Sequence, residues 1–353
     1  MTTVPEVRAL TSADESEWTA FVRGHDAATF YHTLAWRDFV AEVFGHRPRY
    51  LIAKDGNQIV GALPLFEVAF PLLGSKFISL PYDVGSGGAL AGTDDVERHL
   101  AAHALSIARD RGARYLELRG GHRRPALEAL GFRVQEPVVI SDMTLANEAE
   151  VRAGISTDHR KAIRKAASRG VRVRDAVTAA DYETFYEVYL RVFRDFGTPP
   201  YAARYFASLF TSIQPEGGVR TFLAEVDGRC VGGLVLFCFE RSLVSKFAVC
   251  LPDAVPTRAY AALYWRAIEF GLAGGYQRLS WGTSSRDQTG LIEFKERWGA
   301  ISRDAVLYDV DVRGRAPDLA SYYESGGMAR RVWRRLPLAV TRGGGAVLNR
   351  WFC

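Results

Sequence analysis

LIAKDGNQIVGALPLF at Leu51–Phe66 returns as FLAEVDGRCVGGLVLF at Phe222–Phe237, and this recurrence decides the fold. Each stretch is strand, Asp-Gly turn, strand, the pattern of a hairpin. Upstream, ALTSADESEWTAF at Ala9–Phe21 returns as AVTAADYETFYEV at Ala176–Val188, both opening on a Thr-x-Ala-Asp helix cap. Downstream, SKFISLP at Ser75–Pro81 returns as SKFAVCLP at Ser245–Pro252. Helices are expected at Val96–Arg111 and Thr257–Ala273, with Gly112 and Gly274 or Gly275 as C-caps. Short strands follow at Arg114–Arg119 and Gln277–Trp281, and LEALGF at Leu127–Phe132 answers EFKERWGA at Glu293–Ala300. A period of roughly 170 residues makes each copy a domain, not a solenoid unit. Superposing the copies should pair Asp55–Gly56 with Asp227–Gly228, and Lys76 with Lys246.

A chain of 353 residues is too long for one ordinary core, so two domains agree with the duplication. With 48% hydrophobic and 24% charged residues it is well away from the disordered class. The opening MTTVPEVRALTSADE has acids and no apolar core, which argues against a signal peptide. The longest apolar run, Val231–Phe239, is about half a membrane span. Cys230, Cys238, Cys250 and Cys353 lack paired spacing or nearby His, so no metal site and a reduced cytosol are expected. The net charge of +5 is local: residues 325–353 carry six arginines and no Asp, Glu or Lys, leaving −1 for the rest. The body therefore does not read as a nucleic-acid binder.

Each copy's order of helix, helix, three strands, helix, strand, helix, strand resembles the GNAT acyltransferase fold. The expected class is α/β (α+β), with two tandem GNAT-like domains, each a mixed sheet flanked by helices, and a basic C-terminal helical tail. Boundaries are expected at 1–150, 151–312 and 313–353. The glycine-rich loop with which GNAT enzymes cradle the pyrophosphate of acetyl-CoA is missing. CLPDAVPTRAYAAL has no glycine, and SLPYDVGSGGALAG has no basic residue. FYHTLAWRDFVAEVFGHRPRYLIA, SLPYDVGSGG and WGTSSRDQTGLIEFKERWGA instead resemble the Fem-type aminoacyltransferases and their relatives in exopolysaccharide clusters.

The last block is similar to the family's G-L-x-x-F-K-x-x-[WF]-G motif and puts its functional lysine on Lys295, where an ammonium could stabilise a tetrahedral oxyanion. The alternative is a surface lysine in a Glu-Lys-Glu helix. The helix STDHRKAIRKAASRG at Ser156–Gly170 bears His159, Arg160, Lys161, Arg164 and Lys165. The spacing of Arg160, Lys161 and Arg164 makes a cationic ridge suited to a diphosphate or tRNA backbone, or simply a solvated face. In SLPYDVGSGG, Gly87 and Gly88 permit close ligand approach, Tyr82 could bond an acceptor sugar, and Asp83 could take the proton of an attacking ammonium. Asp83 could equally cap its turn. Trp36 is a candidate acceptor contact or a core residue.

The resemblance implies transfer of an acyl or aminoacyl group to an amine of a cell-envelope or exopolysaccharide precursor. No tightly bound cofactor is expected; the donor would be acyl-CoA or aminoacyl-tRNA, and the acceptor a glycan or lipid-linked precursor. The alternatives are a conventional acetyl-CoA-dependent N-acetyltransferase and a non-catalytic scaffold at the membrane. The implied location is cytoplasmic. In the tail, Pro337 should end or kink a helix and Gly343–Gly345 should make a flexible break. Its arginines fit the inner face of a membrane; alternatively its Trp and Leu pack against the first domain.

Overall fold

The computed structural model describes residues 4–70, 74–85, 88–121, 123–317 and 328–350. They form two compact units, one of residues 4–139 with 304–317, the other of 140–303 with 328–350.

The first unit holds β1 (Glu6–Ala9), α1 (Glu15–Gly24), α2 (Leu34–Phe44), β2 (Arg47–Pro48), β3 (Leu51–Asp55), β4 (Gln58–Leu63) and β5 (Leu65–Phe70). It continues through β6 (Gly74–Ser79), β7 (Leu90–Ala91), α3 (Asp94–Asp110), β8 (Tyr115–Gly120) and α4 (Pro125–Glu128). The chain leaves it within β9 (Arg133–Thr144). Pro64, which offers no amide hydrogen, falls between β4 and β5. The expected long second strand is accordingly two strands in different sheets, β1-β3-β4-β7 and β2-β5-β6-β8. The core forms where the stripe Leu100, Ala101, Ala104, Leu105 and Ala108 of α3 meets Leu51, Leu63, Leu65, Phe77 and Leu116 of the strands. Gly61 is required there, because a Cβ on it would lie 2.5 Å from Val96 Cγ1.

The second unit takes up α5 (Glu148–Gly154), α6 (Thr157–Ser168), β10 (Arg172–Asp175), α7 (Ala179–Phe196), α8 (Ala203–Ser208), β11 (Val219–Val226) and β12 (Arg229–Phe239). Then come β13 (Ser242–Cys250), α9 (Ala259–Ala273), β14 (Arg278–Ser285), α10 (Thr289–Glu296) and β15 (Ile301–Asp311). The last helices are α11 (Met328–Trp333) and α12 (Leu338–Leu348). Strands run in the order β10-β11-β12-β13-β14. The chain returns to the first unit within β15, whose Val306–Asp311 pairs antiparallel with Gly120–Tyr115 of β8. The division expected at 150 therefore falls at 139/140, and the close of the second copy is divided between units.

The duplication is carried by the hairpins. In each, one valine bulges from the second strand: Val60, between the partners of Ala53 and Lys54, and Val231, between those of Ala224 and Glu225. Such a bulge is a built feature of a strand, and its recurrence marks the copies as equivalent. The turns match one residue later than expected. Asp55 still pairs with Gln58, so Gly56–Asn57 is the counterpart of Asp227–Gly228. Lys76 and Lys246 do not coincide. Lys76 lies opposite Val68, past Phe66, whereas Lys246 bulges where the partners pass from Val235 to Leu236, before Phe237.

The tail belongs to the second unit and not to the first domain. Pro337 does separate two helices, as the N-cap of α12. The three glycines, however, lie inside α12, where the absence of side chains allows close packing and not a flexible break. A Cβ on Gly345 would come 2.4 Å from the Pro200 carbonyl oxygen, and one on Gly344 would press on the Trp333 ring at 3.2 Å. Asn349 Nδ2 donates to the Pro199 carbonyl at 2.7 Å, and Arg342 pairs with Glu187 of α7 at 2.5 Å.

Candidate functional site

In the second unit the parallel strands β13 and β14 pair at three positions only, ending with Val244↔Ser280. Beyond that point β13 stays on β12 to Cys250, with the bulge at Lys246, while β14 runs on to Ser285. A wedge opens between two strands that no longer bond each other. Gly282 sits at its mouth with φ of 69°, a left-handed conformation that suits glycine.

Lys295 occupies the last turn of α10, and its Nζ donates to the Gly282 carbonyl oxygen at 2.9 Å. The side chain is buried, 4% exposed, so it is not the surface lysine of a solvated helix. Burial lowers its pKa to about 8, against the opposing pull of the Asp142 carboxylate. Aromatic rings make the surroundings apolar: Trp281 lies 4.3 Å from Tyr264 and 5.6 Å from Trp298, and Phe294 stacks into the same group 5.9 Å from Tyr264. Four polar atoms in this region are buried without a hydrogen-bond partner: Trp281 Nε1, Trp298 Nε1, Ser284 Oγ and His159 Nε2. Buried polar groups are nearly always satisfied, so these four atoms call for a partner such as water or a ligand.

Beside the aromatic group lies a groove of about 680 Å³ lined by α6, the start of α9 and α10. Lys161, Lys165, Arg258 and Arg297 bring four cations to it, against the single acid Asp158, and Tyr260, Phe294 and Trp298 supply ring surface. The missing glycine loop explains why side chains are needed. Pro252–Thr257 winds into a 3-10 turn, in which Ala254 and Arg258 spend their amides on Leu251 and Val255, and Pro256 has none. Side-chain cations stand where a backbone cradle would otherwise hold phosphate. The same place in the first unit is opposite in character, since Asp94, Asp95 and Glu97 fill the first turn of α3. Cations thus gather at this place in the second unit and acids in the first.

Of the residues singled out from the sequence, Lys295 lies at the wedge and Lys165 lines the groove. Arg160 turns elsewhere: its guanidinium donates to the Arg152 carbonyl at 3.0 Å and to the Ile155 carbonyl, closing the end of α5. Arg164 is exposed and outside the groove. Arg160 and Arg164 therefore do not line the groove; Asp158, Lys161, Ala162 and Lys165 do. Arg258 and Arg297 were not foreseen. Trp36 is wholly buried, 5.0 Å from Tyr31 and 5.3 Å from Phe39, and so is core and no acceptor contact.

In the first unit the Tyr82 hydroxyl is buried against His46 Nε2 at 2.7 Å, and the ring stacks on Phe44, so it braces its loop. Leu80 and Tyr82 both hold left-handed backbone, with φ of 45° and 68°. Buried Arg119 fixes that strained turn by donating to the Leu80 carbonyl at 2.9 Å and to the Asp83 carbonyl. Gly88 is required because a Cβ there would strike the Arg119 carbonyl oxygen at 2.1 Å, which makes it a packing glycine. Gly87 lies outside the described residues.

Among the described residues no group of three or more His, Cys, Asp or Glu could hold a metal ion. Nor, among the described residues, is any helix long and apolar enough to cross a membrane.

Residues 154–296 match the family model described as an acetyltransferase (GNAT) domain. No curated protein matches the chain significantly. The fold is shared with the crystal structure of FemX, at 14% identity over 87% of this chain and 98% of that one, with a TM-score of 0.74. It is also similar to the C-terminal domain of a putative lysylphosphatidylglycerol synthetase from Agrobacterium fabrum, at 13% identity over 88% and 96% of the chains, TM-score 0.59. A tandem GNAT protein from the clavulanic acid biosynthesis pathway aligns at 15% identity over 89% and 100%, TM-score 0.55. Residues 154–296 thus match an acetyltransferase (GNAT) domain, and the chain as a whole shares its fold with these structures, a tandem GNAT protein among them.

Proposed function

We propose that the chain transfers an acyl or aminoacyl group from a phosphate-bearing donor, acyl-CoA or aminoacyl-tRNA, to an amine of a cell-envelope or exopolysaccharide precursor. The observation that carries this reading is the buried Lys295 ammonium at the mouth of the β13–β14 wedge, beside a groove with four cations. The donor's phosphates would lie along Lys161, Lys165, Arg258 and Arg297, with its carbonyl reaching into the wedge. An amine adds to that carbonyl, and the tetrahedral oxyanion is met by the Lys295 ammonium, which has protons to spare after serving Gly282. Collapse breaks the ester or thioester bond and releases the tRNA hydroxyl or the CoA thiol. The proton lost by the amine leaves on the departing hydroxyl or thiol. The acceptor is a glycan or lipid-linked precursor, met from a peripheral position on the inner face of the membrane. A second reading, N-acetylation of a small amine by acetyl-CoA, is favoured by the description of the matching domain and would use the same groove.

The test is a mass-spectrometric screen of acyl-CoA and aminoacyl-tRNA donors against precursor extracts. A new mass on an amine-bearing precursor supports the first reading, one on a small soluble amine the second, and no transfer with any donor removes both.

A further inference from the structure

The tail's inward and outward faces can be read separately. Thr341, Gly345 and Asn349, four residues apart on α12, are buried toward the second unit. The outward face presents Val340 and Val347, seven residues apart and 51% and 56% exposed, with Gly343 between them and open space around it. On α11, Val332 is likewise 56% exposed. A helix that turns polar and small residues inward and valines outward is inverted relative to an ordinary surface helix. Among the described residues, Arg331, Arg334 and Arg335 are exposed and have neither an ion pair nor a side-chain hydrogen bond. No acid occurs from residue 325 to the end to neutralise them.

We infer that α11 and α12 form a preassembled docking surface for an anionic phospholipid bilayer. The inference deepens the peripheral position proposed above and depends on neither donor nor acceptor. Fixed aliphatic side chains among unpaired guanidiniums match the boundary between headgroups and acyl chains: valines enter the apolar layer while arginines meet lipid phosphates. A nucleic-acid backbone would use the arginines but leave the valines in water, and Trp333 is half-buried beside Gly344, out of reach of a base. The bilayer is therefore the favoured occupant. Because the tail is docked on α7, the surface does not have to fold on contact, and its side chains can be exchanged without unmaking the unit.

Flotation of the full chain with phosphatidylglycerol-containing vesicles, and with phosphatidylcholine alone, tests this directly. Binding to the anionic vesicles only, falling as salt rises, is expected. Each basic residue near an anionic surface contributes enough that the triple variant Arg331→Ser, Arg334→Ser, Arg335→Ser should partition about a hundredfold less well. Val340→Ser with Val347→Ser should weaken binding about tenfold while leaving any retention on RNA unchanged. The thermal midpoint should not move in either variant, since none of these side chains is packed. Absence of wild-type flotation overturns the proposal, as does unchanged flotation of both variants. So does retention on RNA that survives where vesicle binding is absent. None of these outcomes bears on acyl transfer, which is read separately by the donor screen.

Discussion

Replacing Lys295 with methionine separates what the buried ammonium costs the fold from what it does for chemistry. The amine's pKa falls from 10.5 to about 8 on folding, which corresponds to roughly 3 kcal/mol of penalty on its charged form at neutral pH. Lys295→Met removes that penalty in a side chain of similar length, but leaves the Gly282 carbonyl without its donor at a cost of about 1–3 kcal/mol. At pH 7 the variant should thus be as stable as wild type or more so, by up to ~2 kcal/mol. The pH dependence is sharper. The folded pKa lies below the unfolded one, so between about 8 and 10.5 the unfolded chain holds the proton more tightly. Lysine's penalty is full below pH 8 and is relieved as pH climbs through that window, so wild-type stability gains on the variant there. Urea unfolding of both proteins at pH 7 and pH 10 measures the difference. A methionine variant destabilised by more than about 2 kcal/mol at pH 7, with the same gap at pH 10, would show that the ammonium is a structural pin and refute the reasoning.

Arg258→Asn with Lys165→Ala should raise the donor KM at least about tenfold and flatten its salt dependence, since asparagine tolerates the left-handed backbone at 258. Arg160→Ala should leave donor KM unchanged and lower stability by about 1 kcal/mol, through the α5 carbonyls it now serves. Gly345→Ala should cost about 1–3 kcal/mol by forcing α12 from Pro200, read as a lower thermal midpoint. Trp36→Ala should cost about 3–5 kcal/mol in unfolding experiments, as befits a core ring.

The duplication was legible because hairpins, caps and helical stripes are local, and both copies write them with the same residues in the same order. What the ladder does with those strands was not: Pro64 divides a strand in one copy only, and a bulge moves Lys246 off the register of Lys76. Lys295 stood out through the motif around it, yet its burial depends on how α10 seats on β14, where its Nζ meets the Gly282 carbonyl. On the basic helix, Lys161 and Lys165 line the groove and Arg160 and Arg164 do not. Arg160 and Arg164 are spaced like Lys161 and Lys165, and charge alone cannot rank two ridges about 100° apart. The small residues mark the inner side, since Ala166 is buried and Ala162 lines the groove, with Lys161 and Lys165 beside them. Gly343–Gly345 reads as a break wherever a tail is taken alone; only Pro200 and Trp333 explain why a helix needs glycines there.

The central claim is that the Lys295 ammonium at Gly282 stabilises the oxyanion of acyl transfer. Its most direct measurement is the single-turnover rate of wild type and Lys295→Ala with saturating donor and acceptor, followed across pH 6 to pH 10. The account predicts a wild-type rate that falls as pH rises through about 8, where the ammonium is lost, and an alanine variant slower by on the order of a hundredfold with donor affinity retained. A variant that turns over at the wild-type rate, or a wild-type rate that rises through pH 8, would contradict it.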